Sequence, residues 1–328
     1  MNSITNIPPA IKTYTPQSPK QLNFCGTAPV EKLGKDIYVG ARNFLIQETA
    51  FFREPETLEF VKEYLTTALK HKPEINIIDG ACSKGYETYT LAMMLDNAGK
   101  KINITGFDLG TNAIEEAKKG VFFIKQVTGN PEVCSMYKMG YSAFGDDYLA
   151  FAHVEALTGK QAEYQKMFNE FFTEIPYKEK FSLHDWLMGI MLKKWTPKIT
   201  TKAFQIKPEK ADTCKFVQGD ILKLDEIVPE HSADVLLFRN ALYHLTTKEG
   251  PMGLKLQLPD EMIIPTVENV VQQIDKAIQK DGLFVIGEHP NDHILTTGKT
   301  LYKELENHNF SPVLKNSDGS ISYIWKKN

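Results

Sequence analysis

The sequence predicts an α/β fold: a mostly parallel sheet flanked by helices and finished by an antiparallel hairpin. Three stretches carry that expectation. Residues 75–92, INIIDGACSKGYETYTLA, read as strand, glycine-containing turn and helix. Lys101–Asp108, KINITGFD, reads as a second strand ending in an acid, and residues 109–120 as a short helix closed by Gly120. Near the end, residues 310–314 and 321–325 flank Asn316-Ser317-Asp318-Gly319, a hairpin signal.

Each element has a local reason. Ile75, Ile77 and Ile78 are β-branched and apolar, as a buried parallel strand requires. Leu91, Met94 and Leu95 recur at helical spacing, and Asn97-Ala98-Gly99 is a stop signal. Upstream, residues 1–36 hold Pro8, Pro9, Pro16, Pro19 and Pro29 among polar residues without an apolar period, so a disordered or extended tail is expected. Residues 37–72 begin ordered structure. Glu54-Pro55 suits a helix start, and Leu58, Val61, Leu65 and Leu69 line one face of the helix. Downstream, residues 214–217, 233–238 and 283–287 read as strands. Residues 267–279 read as a helix through Val267, Val270, Val271, Ile274 and Ile278.

Bulk properties narrow the function classes. A chain of 328 residues with 42% hydrophobic content holds one large α/β domain with additions, or two domains. A net charge of -3 gives no electrostatic reason to expect nucleic acid or an anionic membrane. Cys25, Cys82, Cys134 and Cys214 form no C-x-x-C pair, which argues against a zinc site and fits a reducing cytoplasm. No apolar run approaches membrane-spanning length, and no secretion signal is expected.

The first turn is a candidate ligand site. Gly80 and Gly85 bracket it without side chains, and a helix N-terminus points at it. The spacing is not G-x-G-x-x-G, so the dinucleotide fingerprint is absent. Asp108, at the end of the second strand, is placed to accept hydrogen bonds from both hydroxyls of a ribose. The alternative is a helix N-cap for the segment starting at Thr111.

Six blocks, in order across residues 47–287, resemble the CheR-type S-adenosylmethionine-dependent methyltransferases that esterify glutamates on bacterial chemotaxis receptors. Gln47, Thr49, Phe51, Phe52 and Arg53 stand where that family has Asn-x-Thr-x-Phe-Phe-Arg. Gly85-Tyr86-Glu87-Thr88-Tyr89-Thr90 stands for Gly-Glu-Glu-Pro-Tyr-Ser, and Asp108 matches the acid after the second strand. Gln218-Gly219-Asp220-Ile221-Leu222 looks like Asn-Leu-Leu, and Phe238-Arg239-Asn240-Ala241-Leu242 like Cys-Arg-Asn-Val-Leu. Residues 281–287 look like the strand that ends the catalytic core. The resemblance implies a class I methyltransferase fold, a Rossmann-like seven-stranded sheet with a C-terminal antiparallel hairpin, over residues 73–328.

It also implies S-adenosyl-L-methionine as cofactor and assigns its groups. Arg53 pairs with the methionyl carboxylate, with Gln47 and Thr49 beside it. Gly80 belongs to the glycine turn, Glu87 balances cationic groups there, and Asp108 takes the ribose. Asp220 and Ile221 suit the adenine, while Asn240 and Ala241 supply polar groups near the methionyl end. A glutamate acceptor is already ionised near neutral pH, with an ordinary pKa of about 4.3, so transfer to it needs alignment and no general base. An amine or hydroxyl acceptor gains from a base, for which Tyr243 and His244 are the candidates. The family's tyrosine four residues after the asparagine falls here on His244, with Tyr243 one earlier.

Between residues 121 and 211 the resemblance lapses. Residues 148–157, 161–172 and 182–194 look helical, so a mainly helical insertion at about 125–210 is expected, serving as packing or as a substrate-recognition element. The family usually carries a small β-rich insert there and a helical N-terminal bundle. A protein substrate fits the resemblance best. A class I methyltransferase acting on another protein group or a small molecule is the first alternative, and a non-catalytic cofactor-binding sensor or scaffold the second. No metal is called for.

Overall fold

The computed structural model describes residues 51–128, 161–177, 198–249, 255–287, 290–316 and 319–328. Helix α1 (Pro55–Thr67) precedes β1 (Glu74–Gly80), α2 (Tyr86–Leu95), β2 (Lys101–Asp108) and α3 (Thr111–Lys119). Then come β3 (Val121–Thr128), α4 (Gln161–Phe171), β4 (Phe172–Ile175), β5 (Lys198–Ile206), β6 (Cys214–Gln218) and β7 (Ala233–Leu237). The rest is α5 (Leu242–Thr246), β8 (Thr247–Glu249), β9 (Lys255–Gln257), α6 (Asp260–Ala277), β10 (Ile278–Val285), α7 (Pro290–His293), α8 (Leu295–Asn307), β11 (Phe310–Lys315) and β12 (Ser322–Lys327).

Among these residues the main sheet has seven strands in the order β11-β12-β10-β7-β1-β2-β6. The pairings β1–β2, β1–β7, β2–β6 and β7–β10 are parallel, whereas β12 lies antiparallel between β10 and β11. The chain runs outward from β1 through β2 to β6, then crosses back to β7 and β10. That reversal beside β1 makes a crevice at the carboxyl ends of the strands, where ligands of open α/β sheets bind. The order is that of a class I methyltransferase sheet, with the expected terminal hairpin. At the outer margin, β11 carries Pro312, and the pairing register shifts between Pro312 and Leu314.

Alternation along the strands fills both faces of the sheet. Ile75, Ile77, Val235, Leu237, Leu283 and Val285 pack into one core with α1 and α2. Ile78, Ala233, Leu236 and Phe284 face the other core, with Ile263, Val267, Val270 and Ile274 of α6 and Leu301 and Leu305 of α8. Helix α6 starts seven residues before the valine stripe that predicts it. Its Pro265 lies close enough to the N-terminus to remove a single intrahelical bond.

Within the insertion the described residues hold both a helix, α4, where residues 161–172 are expected to be helical, and a small sheet. Strands β3, β5 and β4 form an antiparallel three-stranded sheet, with Val121 opposite Gln205 and Phe172 opposite Ile206, and α4 packs beside it. The phenylalanine cluster straddles a joint: Phe171 ends the helix and Phe172 opens a strand. The expected tail, the expected helices at 148–157 and 182–194, Gln47 and Thr49 lie outside the described residues.

This region holds the signature segment in place. The Phe51 ring centroid lies 4.7 Å from Tyr86, 4.8 Å from Phe122, 5.1 Å from Phe168 and 5.4 Å from Phe172. Phe52 stacks on Tyr164 at 4.5 Å, and its amide donates to Thr90 Oγ1 at 3.1 Å. Both phenylalanines are fully buried. Phe51→Ala is expected to destabilise the protein by about 3–5 kcal/mol in denaturant unfolding. A loss below about 1 kcal/mol would mean that the aromatic nest closes over the gap and does not hold the segment.

Candidate functional site

The site begins in the turn after β1. Ala81 (φ 56°), Ser83 (φ 51°) and Gly85 (φ 85°) are all left-handed, and Gly85 is the N-cap of α2. Two non-glycine residues in that region store strain, as ligand clamps often do. Cross-links compensate for it. Cys82 N donates to Phe107 O at 3.0 Å, Gly85 N to Cys82 O at 2.9 Å, and Ser83 N to Asp108 Oδ2 at 2.8 Å. Gly80 is needed for packing: a Cβ there would stand 2.7 Å from the Phe107 ring.

Asp108 is half-buried at the end of β2 and does two structural jobs. One oxygen accepts from Ser83 N, and the other from Gly110 N at 2.7 Å. Burial raises its carboxyl above the usual range, against the two amides that lower it. It is not the side-chain cap of α3, whose N-cap residue is Gly110. Each carboxylate oxygen has a further lone pair, so a ribose diol remains compatible. Gly219 N donates to Asp108 O at 3.0 Å, which brings the Asp220-Ile221 corner alongside. Asp220 caps the turn that follows, accepting from Leu222 N at 3.0 Å, and the buried Ile221 packs in the core that contains Phe107.

The other half of the site is built on Arg239, whose side chain is 1% exposed. Its Nη1 pairs with Glu87 Oε2, while Nη2 pairs with Glu54 Oε2 at 2.7 Å and donates to Arg53 O at 3.3 Å. Asn240 Nδ2 donates to Glu54 Oε2 at 3.2 Å, and Arg53 Nε lies 3.5 Å from Glu54 Oε1. Burial works to raise the Glu54 carboxyl, but Arg239, Arg53 and Asn240 together hold it below the usual range. Phe52 (φ 54°), Glu54 (φ 49°) and Asn240 (φ 53°) are left-handed too, so Arg53 stands between two strained residues. Its side chain is 32% exposed, compatible with a grip on a ligand.

Asp79 and Asp292 add two buried carboxyls. Asp79, 1% exposed, accepts from Thr88 Oγ1 at 2.5 Å through Oδ2, and Oδ1 has no hydrogen-bond partner. Burial, then the neighbouring Glu87, raises its carboxyl well above the usual range. Asp292, fully buried on α7, accepts the Tyr243 amide at 2.5 Å. Burial, with Glu54 adding to it, pushes its carboxyl up to about 8. Tyr243 and His244, half-buried on α5, have ring centroids 4.0 Å apart. The buried Ala241 precedes them.

The structure thus gathers Arg53, Glu87 and Asn240 around Arg239, and Gly80, Asp108, Asp220 and Ile221 around the β1 and β2 ends. Sequence reasoning assigned no role to Glu54, Arg239, Asp79 or Asp292. Arg239 stood inside a quoted block and Glu54 beside another, so position in those blocks was a usable signal. Nothing in the sequence ties Asp292 to Tyr243, 49 residues away.

Known proteins were compared with this fold and site. Residues 47–140 match the family model described as CheR methyltransferase, SAM binding domain. Over this stretch the chain is similar to CheR-type methyltransferases, whose matched domain is described as binding S-adenosyl-L-methionine. It is 28% identical over 147 residues to a chemotaxis protein methyltransferase of Borreliella burgdorferi, covering 41% of this chain and 50% of that protein. It is 37% identical over 78 residues to a chemotaxis protein methyltransferase of Campylobacter jejuni, covering 24% of this chain and 29% of that protein. The matches therefore span half or less of those relatives. Among solved structures, the DszA carbon methyltransferase aligns at a TM-score of 0.39 with 10% identity, over 83% of this chain and 54% of that chain. The fold assignment rests on strand order and not on that score. The residues present fit the cofactor, with Arg53 for a carboxylate, Glu87 for a cation and Asp108 for a diol.

Asp292 generates a stability prediction. The folded chain keeps its proton up to about pH 8, whereas the unfolded chain loses it near the ordinary 3.8. Between those values the unfolded state binds fewer protons, so this group's contribution to stability falls as pH rises. Asp292→Asn should flatten the decline in melting temperature between about pH 5 and 8. Parallel wild-type and variant curves would show that Asp292 does not titrate in that window.

Proposed function

We propose that the chain is an S-adenosylmethionine-dependent methyltransferase of CheR type that esterifies glutamate carboxylates on a protein substrate, acting in the cytoplasm. The observation that carries this reading is the placement of Arg53. Two buried phenylalanines fix it beside Glu54, Arg239 and Asn240, at the carboxyl edge of the sheet, inside the stretch that matches the family model.

In this reading Arg53, with Gln47 and Thr49, binds the methionyl carboxylate, and Asn240 and Ala241 border it. Glu87 faces the ammonium. Asp108 takes the ribose hydroxyls, and Asp220 and Ile221 hold the adenine. S-adenosylmethionine supplies an activated methyl group, and the chain's own task is alignment. An ionised glutamate attacks without a base, which leaves Tyr243 and His244 to border the acceptor. Residues 37–72 cover the cofactor, and the insertion at about 125–210 selects the acceptor. The half-buried Tyr243–His244 ring pair favours a second reading, transfer to an amine or hydroxyl, because only those acceptors release a proton. No helix among the described residues is long and apolar enough to cross a membrane.

Incubating lysate with methyl-labelled cofactor and the protein tests the acceptor class. Base-labile label in protein is expected, and base-stable label would replace glutamate with the second reading. Arg53→Lys tests the site. Lysine keeps the charge but loses the planar fork, so affinity for S-adenosylmethionine should fall roughly tenfold or more, and further in Arg53→Ala. Melting temperatures should barely move, since the side chain is a third exposed. Wild-type affinity in Arg53→Lys would reduce the signature segment to packing.

A further inference from the structure

Asp79 is a buried acid whose bonding is incomplete as a carboxylate. Its Oδ2 takes the Thr88 hydroxyl, and its Oδ1, shielded from water, meets no donor. The group beside it is another carboxyl, Glu87, close enough to exchange a side-chain hydrogen bond with it. Two ionised carboxylates cannot form that bond, and an unpaired charge at full burial is costly. Glu87 already carries the Arg239 ion pair. A proton on Asp79 relieves this: the protonated carboxyl can donate to the neighbouring Glu87 while Oδ2 still accepts from Thr88.

We propose that Asp79 and Glu87 hold one proton between them, and that a ligand bringing an ammonium group to Glu87 displaces it, so that cofactor binding releases a proton. The inference rests on the cofactor reading above, in which Glu87 faces the methionyl ammonium. Asp79 then acts through Glu87 as a positioning residue that matches the charge of the site to a cationic ligand. The charged and titratable groups facing Asp79 are Glu87 from α2, Arg239 from the end of β7, Cys82 from its own turn and Cys214 from β6. Burial chiefly, with Asp79 adding to it, raises both thiols, so neither supplies a competing proton loss near neutral pH. Arg239 stays charged throughout.

Titration calorimetry of the full chain at about pH 6.5, below the usual α-amino range of roughly 7.7–8.0, keeps the methionyl ammonium charged. Running it in two buffers of different ionisation enthalpy counts protons. S-adenosylmethionine should release up to about one proton, with affinity rising by up to about tenfold per pH unit. 5′-Methylthioadenosine, which lacks the ammonium, should release none. In Asp79→Asn the amide donates to Glu87 as the acid does, so cofactor should bind without proton release and with a flat pH dependence. Wild-type binding without proton release, or equal release by Asp79→Asn, overturns the proposal while leaving the cofactor reading intact. No binding of S-adenosylmethionine by the wild type overturns both.

Discussion

The buried guanidinium of Arg239 is the constraint on which the site depends. It joins three parts of the chain that the sheet topology delivers separately: the segment before α1 through Glu54 and Arg53 O, the first turn of α2 through Glu87, and the end of β7. A cation with a side chain 1% exposed is tolerable only with fully committed partners, and two carboxylates meet that need. Removing either would leave charge stranded in a region of low polarisability. The three segments are therefore fixed relative to one another more tightly than apolar packing alone would fix them.

Around that centre the two halves of the crevice use different physics. The β1–β2 side is held by backbone groups: left-handed residues in the turn, amides from Ser83 and Gly110 on Asp108, and the Gly219 amide on the Asp108 carbonyl. The β7 side is held by side-chain charge. A ligand with a diol at one end and a zwitterion at the other fits this division. Backbone amides position a neutral, directional group, while side-chain charge answers an ionic one.

Much of this was legible in the sequence, and what was not has physical causes. Strands β1 and β2 follow from β-branched runs, and β6 and β7 from short apolar stretches, all bounded by turn residues, and those signals are local. The edge of the crevice is also local, because Asp79-Gly80 and Asp108 end the strands that form it. The small sheet of the insertion was missed because Phe168, Phe171 and Phe172 crowd together in sequence while belonging to two element types. Helix α8 was missed because its buried stripe is thin, with Leu301 and Leu305 its large apolar members. The long-range pairs Arg239–Glu54 and Asp292–Tyr243 have no local signature, since nothing in the residues between them sets the distance.

The outer margin of the main sheet has a bearing on behaviour at high concentration. An edge strand presents unpaired amides and carbonyls that can template a second chain. Strand β11 interrupts that row: Pro312 offers no amide, and the register shift before Leu314 bends the strand out of a flat ladder. The exposed Lys315 adds a charge on the edge strand itself, whereas Lys326 and Lys327 pair with Asp281 and Asp275. Growth of the sheet from molecule to molecule is thereby discouraged at this edge. The open margin of the seven-stranded sheet is thus a poor template for a second copy.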